Sequence, residues 1–495
     1  MILFENVRAY RYDAALRRFV RHRSLLIDGA TIAALDVEPI GGELERIDGD
    51  GATLLPAFAD CHVHLAEAGY YAGARSLASV RSYEAFDAGV ARAPRDGDLL
   101  YAGQYDDALW NDRAQADARP LERHHADAYA MLVRVDSHSS IVNRKTLAWL
   151  ALAPEMPGIE RDAAGEPTGR LFLEANWRAQ AQFIARIPIA TRRASERRGA
   201  EIARANGIAH VHAQLLGRDR DGYAQDVEAL RALPIVVHPK ICEADASYAQ
   251  ELGLPYIGGD VFLDGSIGSC TAALSRPYEG ARGSGALRLS DDELLAYFAG
   301  AEARGIAAGV HAIGDAAIEQ CIRTWERVLG GKPSAHGARH FIEHFEMPED
   351  AHIDACAAMD ITLSMQPQFH ATWGIEGGMY EERLGNARRR GMNPLRAIAE
   401  RGARLCGGSD APVCPLDALA GMQAACAQQE ADACLDPHEA LSLYTVNAAR
   451  FGYAETRTGN LAPGLRADLV MLDRDPLEDG AFARARVLRT WVAGA

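Results

Sequence analysis

The residues best placed to do chemistry in this chain are histidines and carboxylates at the ends of short apolar runs. Asp60-Cys61-His62-Val63-His64 closes the run LLPAFADCHVHL. Two histidines at i and i+2 on an extended chain point to the same side, so both imidazoles can meet one cation. Alone, such a pair reads equally as two surface or core histidines. Three further elements repeat the placement. His311 follows one apolar run, Glu343-His344 follows Phe341-Ile342, and Gly408-Ser409-Asp410 follows Arg404-Leu405-Cys406. Four histidines and an aspartate in this order form a donor set for a divalent cation. Such a cation lowers the pKa of water from 15.7 to about 7 and polarises a carbonyl. The chemistry expected is therefore hydrolysis, with a carboxylate moving a proton to the leaving group.

The elements that must position these groups are apolar runs alternating with Ala-rich helical stretches. The runs are LLPAFADCHVHL, AMLVRVDSH, GIAHVHAQ, PIVVHPKI, GGDVFLDGS, GIAAGVHAIGD, RHFIEH, ITLSMQPQ and RLCGGSDAP. Nearly continuous apolar strands separated by helices indicate a parallel sheet covered on both faces. The fold class is α/β, and eight strands would close a (β/α)8 TIM barrel whose catalytic groups gather at the C-terminal strand ends. The ninth run, AMLVRVDSH, falls in a compositionally distinct stretch of about residues 70–190, read as an insertion after the first barrel strand. Short β-like pieces at both ends (MILFENVRAY, SLLIDG, TIAALDV and GGELERIDGDG; GNLAPGLRADLVMLDRDP and RVLRTWVAGA) predict a small β-sandwich. The expected division is 1–55 with 455–495 as the sandwich, and 56–454 as the barrel.

The order HxH, His, His, Asp resembles the amidohydrolase superfamily. The phrases PAFADCHVHL, RVDSHSSIVN, GEPTGRLFLEA, VFLDGSIGSCTAAL, VHAIGDAA, FIEHFE, GGSDAPV and LYTVNAARFG are similar to its amidohydrolase-3 branch, of the N-substituted formamide deformylase kind. The likeness runs from about residue 50 to 475. It implies a hydrolase of a non-peptide C–N bond, an amide or formamide. It also implies that His62, His64 and Asp410 hold one metal and His311 and His344 a second. Zinc is the first choice, with iron or manganese also fitting the donors. Asp410 is implied as the proton shuttle, and His138 as a group that steadies the carbonyl oxygen or lines the pocket. One departure stands out: the branch usually carries a lysine before the DGS phrase, where this chain has Asp260. Either Asp260 bridges a tighter metal pair, or one metal is held. Two other readings share the motif, a deaminase acting on a ring amidine and a degenerate metal-binding barrel. The AIGD phrase after His311, in place of an added acid, favours the amide reading over the deaminase.

The remaining candidates are weaker. Glu174 is a supplementary acid or a polar residue of the insert. His210, His212 and His238 read as pocket lining or core, and His22, His124 and His125 as solvated. Cys270 reads as a small buried hydrophobe, Asp264 and Asp315 as shapers of loops, and Gln366 and Pro367 as pocket lining. Tyr70, Tyr71, Tyr105, Trp110 and Trp177 in the insert suggest a partly apolar or aromatic substrate.

Composition narrows the partners. Of 495 residues, 48% are hydrophobic and 24% charged, as in an ordinary globular enzyme. A net charge of −16 without basic runs argues against nucleic acid or an anionic membrane. No Walker sequence or dinucleotide fingerprint occurs, so no nucleotide cofactor is expected. The nine cysteines are scattered and none forms CxxC, which argues against a disulfide framework. With no signal peptide or membrane span legible, the expectation is a cytoplasmic enzyme of a small-molecule substrate, with a homodimer as the commonest assembly.

Overall fold

The computed structural model describes residues 1–37, 44–281 and 283–495. Eight of the nine apolar runs form parallel strands. These are β1 (Phe58–Val63), β2 (Ile208–Leu215), β3 (Val236–Ile241), β4 (Tyr256–Phe262), β5 (Ala307–Ala312), β6 (Phe341–His344), β7 (Thr362–Met365) and β8 (Arg404–Gly407). They pair in chain order as two ladders, β1-β2-β3 and β4-β5-β6-β7-β8. A parallel bridge between Val63 and Ala411 links β1 to the segment after β8. The His64 amide also donates to the Ala411 carbonyl at 2.8 Å. Every residue of β1 and β5 is buried, because helices cover the outer faces. The result is a TIM-barrel-like α/β fold.

Helix Asp315–Leu329 shows why these segments become covering helices. Ile318, Cys321, Ile322 and Trp325 recur on one face and are buried. Gly330, in the left-handed conformation at φ 64°, ends the helix. Its neighbour Asp291–Glu302 starts at a capping box between Ser290 and Glu293. The two helices meet where Trp325 stacks on Phe298 at 3.7 Å.

The ninth run, Tyr129–Arg134, lies apart from these strands. It pairs with Leu99–Tyr105 and Ser139–Val142 in a separate five-stranded sheet within the stretch between β1 and β2. Segments from the chain ends form two more sheets. One holds Ile2–Glu5, Leu25–Asp28, Thr31–Leu35 and Glu45–Asp48; the other joins Arg8–Asp13, Arg18–His22 and Thr53–Pro56 to Leu469–Leu472 and Val487–Trp491. Phe4 and Ile27 of the first share one apolar cluster with Leu54, Leu469 and Trp491 of the second, so both sheets bury against common residues. The run MILFENVRAY is two strands rather than one. Asn6 takes φ 51° and sends the halves to different sheets. In GGELERIDGDG, residues 41–43 lie outside the described residues, and the strand is Glu45–Asp48.

Trp325 is fully buried, so Trp325→Ala should lower stability by about 3–5 kcal/mol. Denaturant melts followed by circular dichroism measure this.

Candidate metal centre

All six proposed ligands sit at or just beyond C-terminal strand ends: His62 on β1 and His64 just after it, Asp260 on β4, His311 on β5, His344 on β6 and Asp410 after β8. The ligand atoms of His62, His64 and Asp260 all lie within 4.8 Å of one another, as do those of His62, His344 and Asp410. The His64 Nε2 is 3.1 Å from Asp260 Oδ2 and 3.2 Å from Asp410 Oδ1. The His62 Nε2 is 3.5 Å and 3.1 Å from the same two oxygens. His311 stands beside these triads, its ring 4.5 Å from that of His344 and its Nδ1 3.3 Å from Asp264.

Local backbone features aim the ligands. Gly258 and Gly259 have φ of 82° and 105°, and the β4–β5 register breaks between Gly258 and Phe262. A Cβ at Gly258 would lie 2.2 Å from the Gly309 carbonyl, and one at Gly259 would lie 2.4 Å from Gln214. Only glycine permits this bend next to Asp260. His344 and Asp410 themselves take φ of 72° and 54°. Left-handed backbone at non-glycine residues costs about 1–3 kcal/mol each and collects at functional sites. Asp60 joins the two ends of the strand set by accepting the His62 and Ser409 amides, each at 3.1 Å.

The donor set fits a divalent cation. Both Asp260 oxygens, Asp410 Oδ1, His62 Nε2 and His311 Nδ1 are buried without a hydrogen-bond partner. Burial disfavours a charged ring at His64, yet Asp260 and Asp410 outweigh it and raise its pKa to about 10. His62 is likewise raised against its own burial, by Asp260, Glu343 and Asp410. Despite burial, the facing imidazoles hold both aspartates well below the ordinary carboxylate range. In other words, these acids draw protons onto the imidazoles for want of another positive charge. A metal ion satisfies the same demand.

Sequence reasoning missed the groups behind the ligands. Glu343 Oε2 lies 2.9 Å from His62 Nδ1, leaving Nε2 to face the aspartates. Lys240 is fully buried, donates to Glu343 Oε1 at 2.6 Å and to the Cys61 carbonyl at 3.1 Å, and lies over the Phe341 and Phe451 rings. Burial opposes ionisation of Glu343, but Lys240 and His62 bring its pKa down to about 2. The signal was a lysine inside the apolar run PIVVHPKI. Gln366 lies 2.8 Å from His344 Nδ1 and orients that ring; neither it nor Pro367 lines the cavity.

A cavity of about 420 Å³ opens over the ligands, walled by Tyr71, Tyr101, Trp177, Phe262, Trp373 and Tyr380 among others. His138 lines it, 5.1 Å from the His311 ring. Burial, then the neighbouring His311, lowers the His138 pKa to about 3, so the ring is neutral. Asp264 accepts the Ala273, Ile313 and Gly314 amides, and Asp315 accepts the Ser275 amide. Cys270 packs against an apolar cluster. Glu174 lies outside the triads, 3.6 Å from Arg288.

For His210, His212 and His238 the core reading holds over the pocket-lining one, whereas His125 departs from the solvated reading. His210, His212 and His238 do not line the cavity; they stack on one another, and His210 binds Asp468 at 2.9 Å. His125 is buried and bonded to the Val90 carbonyl, not solvated. His22 and His124 are paired with Asp36 and Asp87.

The amidohydrolase family model matches residues 45–495. The chain is 27% identical over 470 residues to YtcJ of Bacillus subtilis (strain 168), covering 88% of this chain and 86% of that protein. It is 24% identical over 529 residues to N-substituted formamide deformylase of Arthrobacter pascens, covering 95% and 94%. Its fold is like that of an uncharacterized metal-dependent hydrolase from Pyrococcus furiosus, with TM-score 0.74 and 23% identity over 96% of this chain and 99% of that one. No helix among the described residues is long and apolar enough to cross a membrane. The chain belongs to the amidohydrolase family and is a hydrolase.

Proposed function

We propose that this enzyme hydrolyses a non-peptide C–N bond, an amide or formamide, in the cavity above His62, His64, Asp260, His311, His344 and Asp410. The observation that carries the reading is the pair of candidate ligand triads sharing His62 beneath a cavity whose wall includes aromatic side chains. The 24% identity to a formamide deformylase across nearly the whole chain supports the choice of bond. In this reading the eight parallel strands are one barrel over 56–454. The stretch of about 70–190 is its insert, and the terminal sheets form a β-sandwich from 1–55 and 455–495.

His62, His64, Asp260, His344 and Asp410 would hold divalent metal, with His311 beside them; zinc suits imidazole and carboxylate donors. A bound cation would supply Lewis acidity and water of lowered pKa. The protein's own groups do the rest. Asp410, a buried carboxylate among the metal-holding imidazoles, accepts the proton of the attacking water. It then returns that proton to the departing nitrogen, which leaves as an amine while water's oxygen stays on the acyl carbon. His138, neutral and lining the cavity, donates a hydrogen bond to the carbonyl oxygen. Lys240 and Glu343 act indirectly, holding His62 with Nε2 toward the aspartates.

Asp410→Asn should lower kcat by about 10²–10⁴-fold while the melting curve stays near wild type; normal turnover would remove Asp410 as the proton carrier. Elemental analysis should find divalent metal in the purified enzyme, with a lower content in Asp260→Ala. Unchanged content would take Asp260 out of the ligand set. Lys240→Met leaves Glu343 buried without its cation, and should cost about 3–5 kcal/mol of stability. It should also weaken metal binding by about 10–100-fold in chelator competition. Adding Glu343→Gln should restore part of the stability but not the affinity.

A further inference from the structure

Among the described residues, two guanidinium groups line the cavity, and their surroundings differ. Arg134 is saturated by Asp106 at 2.6 Å, Asp136 at 2.7 Å and Asp107 at 3.2 Å. Arg288 has no such set. Its Nη2 lies 3.6 Å from Glu174, beyond hydrogen-bond reach, and Glu174 is 51% exposed and outside the cavity lining. Its Nη1 is buried without a hydrogen-bond partner. Arginine stays charged in proteins; the Arg288 side chain is 25% exposed, so water meets part of that charge, and Nη1 is the group left without a partner. The Arg288 guanidinium lies 5.4 Å from the centre of the Trp177 ring and 5.8 Å from that of Phe262. Those rings stack on each other at 4.4 Å.

This pair of rings also borders the metal centre. Phe262 is 4.9 Å from the His311 ring, and Trp177 is 5.1 Å from that of His138. Arg288 therefore stands one aromatic ring away from the imidazoles. Three of the acids on the cavity wall, Asp136, Glu346 and Glu243, are already engaged. Asp136 pairs with Arg134 and accepts from Ser266 and Ser269, Glu346 accepts from Tyr380, and Glu243 accepts from Tyr223. An arriving anion has only the loose contact of Glu174 to displace.

We infer that the substrate carries an anionic group, a carboxylate in the simplest case, which Arg288 binds. An apolar or aromatic body lying along Trp177 and Phe262 separates that group from the amide. This rests on reading the cavity as the site of amide cleavage. Arg288 is then the residue that selects acidic amides over neutral ones, and Glu174 is its resting counter-ion.

Calorimetric binding of 3-phenylpropionate and of 3-phenyl-1-propanol to the metal-loaded enzyme tests this without turnover. The acid should bind about 10–100-fold more tightly than the alcohol. Arg288→Met should erase that preference by weakening the acid, Arg288→Lys should keep part of it, and Glu174→Gln should tighten the acid. In turnover, Arg288→Met should raise KM for acidic amides far more than for neutral ones, with little change in kcat. No preference for the acid in wild type overturns the inference, as does a preference that survives in a folded Arg288→Met; the latter would assign the carboxylate to the metal. If no amide is hydrolysed but the acid preference still depends on Arg288, the cleavage reading fails and the anion site stands.

Discussion

Charge sealed away from water is the constraint on which this protein is built. Glu343, Asp260 and Asp410 bring carboxylates into the strand-end layer, where none of them is accessible enough to be solvated freely. A buried carboxylate persists only when cations or hydrogen-bond donors compensate it. For Glu343 the chain supplies its own cation, Lys240. For Asp260 and Asp410 it supplies only imidazole nitrogens, and their facing oxygens lack hydrogen-bond donors. One charge is balanced internally and the other two are left for a metal ion.

That division explains features that would otherwise be liabilities. Left-handed backbone at His344 and Asp410, and a glycine pair bending β4 before Asp260, all cost conformational energy. Each turns a ligand toward the shared point. Asp60 and the Ala411 carbonyl tie the end of β1 to the segment after β8, so His62, His64 and Asp410 are held by one hydrogen-bonded junction. Above it, Trp177 from the stretch between β1 and β2 stacks on Phe262 of β4. The cavity wall is therefore made jointly by that stretch and the parallel strands.

Much of this was legible before any coordinates. Apolar runs marked all eight parallel strands, and the odd run, AMLVRVDSH, went to a different sheet. The order of histidines and aspartate pointed to the cluster because each follows such a run. The same signal misleads elsewhere. His210-Val211-His212 has the spacing of His62-Val63-His64, but it lies in the middle of β2 rather than at its end. Its rings therefore stack away from the cavity, toward Asp468. Lys240 was visible as a charge within an apolar run, yet its partner Glu343 is three strands further along the strand order. Nothing local to either residue names the other.

By itself, the sequence determined which segments become strands and which polar residues stand at their ends, because side-chain alternation and apolar runs are local properties. It also put imidazoles and carboxylates, donors suited to a divalent cation, at those strand ends. Only the tertiary structure decided which of them meet. Grouping Asp260 with His62 and His64, pairing Lys240 with Glu343 and leaving Arg288 loosely matched all depend on distances between strands remote in sequence. Burial then sets the worth of each contact, since a charge pair is strong or costly according to the water it has lost.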